Sequence, residues 1–175
     1  QTLVFVDGVQ MNSPTTGAFN FANLTTDNIE RVEILRGPQS TLYGSEAIGG
    51  VINIITKKGA GDTKGTLGTE YGMHDTLRET VSVSGGKEKF DYSVGASYLK
   101  THGISAAGSG SEEDGYENFT GSSRLGWNFL DNGRVDTTIR STHSDFEYDA
   151  FKYGIGPVDD PDRRQTTDEI LLSTK

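Results

Sequence analysis

Between Phe90 and Lys100 the side chains alternate without a break. Phe90, Tyr92, Val94, Ala96 and Tyr98 are apolar, while Asp91, Ser93, Gly95 and Ser97 between them are small or polar. A period of two places one set on each face of a β-strand, so this segment reads as a strand with one apolar face and one wet face. The pattern returns in Leu67, Thr69, Tyr71 and Met73, and in Leu77, Val81 and Val83, where Glu79 interrupts the apolar face. It appears again in Phe119, Leu125, Trp127 and Phe129, then in Val135 and Ile139. Five such strands and the start of a sixth after Gln165 are expected. Tight turns (Gly85 to Lys89, Asp131 to Gly133) alternate with long polar connections (Gly103 to Gly115, Ala150 to Arg164). No run approaches the ~18 apolar residues of a membrane helix, so any membrane role must use strands. Strands of ~9–11 residues, with short turns at one end and long loops at the other, suit an outer-membrane barrel. Tyr71, Tyr92, Tyr98 and Trp127 would then sit in its interfacial girdles. A soluble antiparallel sandwich alternates in the same way, and the pattern alone leaves both open.

The texture before residue 59 is different. Leu3 to Val6, Val32 to Leu35 and Val51 to Ile55 are short aliphatic blocks bounded by glycine, which read as strands buried on both faces of a small unit. Asp7-Gly8 supplies a tight turn, Asp27 with Glu30 could cap one helical turn, and Gly37-Pro38 ends the second block. The chain opens on the strand-like run Gln1 to Val6, without a signal-peptide pattern, as a piece of something longer would.

Little here points to catalysis. The absence of cysteine removes disulfides, thiolate metal sites and cysteine nucleophiles. His74, His102 and His143 stand far apart, no Gly-x-Ser-x-Gly elbow exists, and the glycines at 44–50 lack a phosphate-binding lysine. The expectation is that the protein is no enzyme and has no catalytic cofactor. A net charge of −9, with no basic cluster, argues against nucleic acid as a partner. The long connections do gather carboxylates: Glu112, Glu113 and Asp114 in one, and Asp145, Glu147, Asp149, Asp159, Asp160 and Asp162 in or beside the other. Hard cations such as calcium take six to eight oxygens, so converging loops of this kind could hold one; acidic loops solvated by water are the plainer alternative.

The segment Ile29 to Thr56, IERVEILRGPQSTLYGSEAIGGVINIIT, together with Val6-Asp7-Gly8-Val9, resembles the end of the plug domain of TonB-dependent outer-membrane receptors. That resemblance implies a mostly β chain: a partial plug at 1–59, then at 60–175 the first five or six antiparallel strands of a large transmembrane β-barrel. It also implies the outer membrane of a Gram-negative bacterium, with outer-membrane lipid, the TonB complex and a scarce nutrient as partners. Arg31 and Arg36, alternating with Glu30 and Glu33, would pair with each other or with the wall. Within the family the second half is most similar to the cobalamin receptors, through Thr101-His102-Gly103 and Tyr148-Asp149-Ala150. The similarity implies Thr15, Thr16 and Ala150 as ligand contacts. It implies calcium on Glu112, Asp114, Tyr148, Asp149 and one of Asp160 or Asp162, with Ser105 standing where those receptors have a ligand aspartate. A corrinoid is the first ligand expected and a ferric siderophore the second. A non-transporting structural or adhesive β-protein is the alternative from another class.

Overall fold

The computed structural model describes residues 2–44, 46–105, 107, 113–130, 133–158 and 163–175. Near the start, strand β1 (Thr2–Val6) turns back into β2 (Val9–Gln10) through Asp7 and Gly8. Both turn residues have positive φ, 46° and 78°, as a two-residue hairpin turn matched to strand twist requires. Strands β3 (Ile29–Arg36) and β4 (Gly50–Thr56) complete a four-stranded sheet in the order β2-β1-β4-β3. β4 runs parallel to β1 and antiparallel to β3. Leu3, Val4, Val6, Val51 and Ile54 are its buried centre, as their aliphatic blocks predict.

The block Val32 to Leu35 behaves otherwise. β3 is an edge strand paired on one side only, so Val32 and Ile34 are 48 % and 61 % exposed rather than buried on both faces. The expected cap at Asp27 is also corrected. The helical turn nearby is a 3-10 turn at Phe21–Asn23, capped by Asn20, whose side-chain oxygen accepts the Ala22 N–H. Asp27 is drawn away by Arg78 of the next sheet.

That next sheet is an antiparallel meander: β5 (Lys64–Gly72), β6 (Thr76–Lys87), β7 (Phe90–Thr101), β8 (Tyr116–Leu130), β9 (Gly133–Glu147) and β12 (Arg164–Thr174). Between β9 and β12 a small hairpin forms from β10 (Ala150–Lys152) and β11 (Gly156–Val158). The strands run 9 to 15 residues. The connections β7–β8 and β9–β12 are long and lie at one end; β5–β6, at that same end, is a tight turn in which His74 and Asp75 adopt positive φ. The turn expected at Asp131 falls on 131–132, outside the described residues.

Burial in this sheet is inverted. Leu67, Val81, Val94, Phe119, Leu125, Ile139, Ile170 and Leu172 are exposed, whereas Ser93, Ser97, Asn118, Thr120, Arg124, Thr138, Arg140, Thr142 and Ser144 are buried. The polar face is turned toward the first sheet and the apolar face outward. Aromatic side chains border the outward face at two levels. Phe90 stacks on Trp127 (5.8 Å), which touches Phe129, near the tight-turn end. Tyr71, Tyr98 and Phe119 lie toward the long-loop end, Tyr98 being paired with Phe119 across the strands. Phe90 and Tyr98 are about 26 Å apart along the strand at ~3.3 Å per residue, on the order of 20 Å of height once tilted, close to the apolar band of outer-membrane barrels. Tyr92 shares the outward parity of Phe90 and Val94, and its hydroxyl is 2.7 Å from Thr63 Oγ1 in the segment joining the two sheets. That segment is seated closely, since a Cβ on Gly59 would come within 2.1 Å of the Tyr92 carbonyl oxygen.

Candidate functional site

Two places carry polar architecture beyond the ladders: the seam between the sheets and the mouth formed by the long connections. In the seam, residues 22–28 of the first sheet's loop lie along the inner face of β6–β9. The Tyr116 hydroxyl donates to the Ala22 carbonyl (2.8 Å) and to Asn23 Oδ1 (3.2 Å). Thr25 Oγ1 meets Ser97 Oγ (3.3 Å) and the Arg140 guanidinium (3.2 Å). Arg78 donates to Thr26 Oγ1 (3.2 Å) and to Asp27 Oδ1. Asn28 donates to Ser122 Oγ (3.0 Å) and accepts from Ser93 (3.4 Å). Leu24, the apolar member, turns the other way and packs on Val4, Val6 and Ile54, with Leu171 of β12 in the same cluster.

At the tight-turn end a second contact is buried more deeply. Asp7 accepts the Thr56 N–H (3.0 Å) and hydroxyl (2.6 Å), tying β1 to the end of β4. Arg124 of β8 reaches the same carboxylate at 3.2 Å and the Thr56 carbonyl at 3.0 Å. The Arg124 and Asp7 side chains are 10 % and 6 % exposed, so this pair is poorly screened by solvent. Its worth lies in mutual compensation, because either charge alone would be stranded in a dry site. Asp136 Oδ1 lies 3.8 Å from Arg124 Nε and adds a second carboxylate. The charges on β3 contrast with this. Arg31 pairs with Glu30 (2.9 Å) and Glu33 (2.8 Å) on an open surface, where water and salt screen such pairs and leave them little worth. The Arg31 guanidinium, and after it the Asn53 amide, hold the Glu33 carboxyl below its ordinary range. Pairing among themselves, one of the two expectations for this strand, is what Arg31, Glu30 and Glu33 show.

At the mouth, Asp149 links the two long connections: its Oδ2 accepts the Ala107 N–H at 2.6 Å and the Ser105 hydroxyl at 3.2 Å. Glu147 accepts the Gly115 N–H (3.2 Å), and the Gly115 carbonyl accepts the Glu147 N–H (2.9 Å). Tyr148 lies between Phe146 (ring centroids 5.6 Å) and Arg163, whose guanidinium sits 5.9 Å over its ring. The β5–β6 turn joins this rim. The Tyr71 hydroxyl donates to Asp75, and His102 Nδ1 lies 3.2 Å from the same carboxylate. These two contacts, Tyr71 first, hold the Asp75 carboxyl below its usual range. A cavity of about 260 Å³ opens here, lined by His102, Tyr116, Phe146, Glu147 and Arg164 among others.

Of the expected calcium ligands, Asp149 and Tyr148 are adjacent on this rim and Asp114 lies in the facing connection. Glu112, Asp160 and Asp162 are outside the described residues. Among the described residues no three His, Asp or Glu side chains converge at metal-binding spacing. Thr15 and Thr16 are exposed in a turn closed by Ser13, whose carbonyl accepts the Gly17 N–H and whose hydroxyl accepts the Thr16 N–H. Ala150 opens the β10–β11 hairpin, half-buried. The wall residues Arg78, Arg124 and Arg140 were not singled out from sequence. Their signal was available, since each falls on the wet face of an alternating strand, among hydroxyls, amides and other polar side chains.

A plug-like sheet seated on the polar face of an outward-apolar β-wall is the architecture of TonB-dependent outer-membrane receptors, and residues 1–51 match the model of the TonB-dependent Receptor Plug Domain. The chain carries plug and wall of such a receptor, and in sequence it resembles the vitamin B12 transporter BtuB. It is 35 % identical to BtuB of Photobacterium profundum over 121 residues, 66 % of this chain and 20 % of that protein. With BtuB of Vibrio cholerae it shares 51 % identity over 57 residues, 33 % of this chain and 9 % of that protein. Among solved structures, the siderophore receptor PirA from Acinetobacter baumannii superposes with a TM-score of 0.67 at 29 % identity, covering 84 % of this chain and 24 % of that one. The chain thus spans about a fifth or less of the curated relatives it matches.

Proposed function

We propose that the receptor carrying this chain moves a scarce nutrient across the outer membrane of a Gram-negative bacterium, and that the nutrient is cobalamin or a related corrinoid. The observation that carries the transport reading is the inverted wall, apolar toward lipid and polar toward a seated plug. In this reading residues 1–59 are the C-terminal part of the plug and 60–175 the first barrel strands. Ligand would rest on the Thr15-Thr16 turn and Ala150, and the inner-membrane TonB complex would supply the force that rearranges the plug. No bond in the nutrient changes, so the chain's residues bind, position and release.

Two observations favour a corrinoid. Similarity to BtuB runs over 121 residues, more than twice the 51 of the plug match, so it continues into the wall. Acidic side chains also outnumber Lys and Arg, three to none in residues 103–115 and four to two in residues 148–163 between β9 and β12, which repels the anionic ferric chelates that many siderophores form. The likeness to PirA supports a siderophore as the second reading.

Calcium, held by Glu112, Asp114, Tyr148, Asp149 and Asp162, would bridge the connections that Asp149 already joins. Equilibrium binding of cyanocobalamin to the complete receptor, with calcium and with chelator, tests both ideas. We expect chelation to weaken binding by about tenfold or more, equivalent to about 1.4 kcal/mol, and Asp149→Ala to remove that calcium dependence. Tight binding of a ferric siderophore with none of cyanocobalamin would replace the corrinoid reading. A calcium response unchanged in Asp149→Ala would take Asp149 out of the site.

A further inference from the structure

Among the described residues, the bonds from the plug to these six strands of the wall are concentrated in one short segment. Ala22, Asn23, Thr25, Thr26, Asp27 and Asn28 each bond to β6, β7, β8 or β9, and Leu24 between them packs on the cluster that Val4, Val6 and Ile54 share with Leu171 of β12. The Asp7–Thr56–Arg124 corner adds a buried ionic contact at the other end. The turn just before this segment is held in another way. Asn12 donates to the carbonyls of Thr2 (3.0 Å) and Gly17 (2.9 Å), and the Ser13 N–H bonds to the Ala18 carbonyl (2.8 Å), so these bonds stay within the plug. Thr15 and Thr16 at its tip are exposed.

We propose that residues 22–28, with the Asp7–Thr56–Arg124 corner, are a fixed seat that stays on the wall during ligand passage, and that the Ser13-to-Ala18 turn, between Met11 and Phe19 that pack on the core, is the part of the described plug that moves. The inference rests on the transport reading above. Its physical basis is the difference in what rupture exposes. Lifting the seat breaks its bonds together, parts Arg78 from Asp27 and Arg124 from Asp7, and leaves those two guanidiniums only their longer contacts to Glu70 (3.7 Å) and Asp136 (3.8 Å) on the wall. Remodelling the turn exchanges its hydrogen bonds for bonds to water and strands no charge. A load on the plug therefore reorganises the turn before it unseats residues 22–28.

A covalent tether distinguishes a seat from a moving contact. The chain has no cysteine of its own, and the Thr25 and Ser97 hydroxyl oxygens are 3.3 Å apart, so Thr25→Cys with Ser97→Cys places two thiols across the seam. In the complete receptor we expect oxidised and reduced forms of this variant to take up ligand within about twofold of each other. Loss of uptake by about tenfold on oxidation, restored by a reductant, overturns the seat. A second measurement covers a bridge that fails to form and a receptor for which no tested ligand is transported. Asn28→Cys, at a position 9 % exposed, should stay protected from a membrane-impermeant maleimide in energised and uncoupled cells alike. Labelling that appears only in energised cells overturns the proposal. A lack of uptake by the unsubstituted receptor strikes the transport reading alone and leaves the labelling result to decide the seat.

Discussion

Replacing Arg124 with alanine will destabilise the seated plug by about 3–5 kcal/mol, the cost of removing one partner from a buried ion pair. The Asp7 carboxylate would keep its two bonds from Thr56 but lose the charge that compensates it in a site where its side chain is 6 % exposed. Denaturant unfolding of the complete receptor, followed by a probe in the plug, measures the effect. Arg124→Ala combined with Asp7→Ala should cost less than the two single changes added together, since the double variant strands neither charge. A loss below about 1 kcal/mol for Arg124→Ala would place this pair among ordinary surface contacts.

Val94→Arg gives the other large effect, and its sign depends on what surrounds the wall. Val94 lies midway between the Phe90 and Tyr98 levels, pairs with Val83 and Ser123, and is 42 % exposed on the outward face. Near the middle of a bilayer an arginine on the lipid face costs about 2–4 kcal/mol. On a water-exposed sheet the same change would fall within about 0.5 kcal/mol of neutral. Folding free energies in lipid vesicles separate the two, and a neutral result would favour the structural or adhesive reading over a transporter.

The strands themselves were legible because alternation is a local property. Phe90 to Lys100 could hardly be anything else, and the sixth strand begins at Arg164, two residues before the position expected. The Asp7-Gly8 turn and the end of β3 at Gly37-Pro38 follow equally from residues in contact along the chain. What failed was any reading that needed to know a strand's neighbours. Val32 and Ile34 look like core residues by type, yet β3 lies at an edge. Asp27 looks like a cap, yet an arginine 51 positions away takes it.

The mouth was legible in part for the same reason. The acidic connections are plain in the composition, but the contact of Asp149 with Ser105 and Ala107 depends on β7–β8 and β9–β12 ending at one rim. By itself, then, the sequence determined two sheets of different texture and which side chains share a face. Period-two alternation divides a strand's residues without saying which half looks inward, so sandwich and barrel stay equivalent at that level. Only the tertiary structure decided that the polar half faces in. It did so because the inner face meets a second sheet through hydroxyls, amides and arginines whose partners lie up to 117 residues apart. Those buried polar groups require partners, whereas the apolar half has no hydrogen bonds to satisfy.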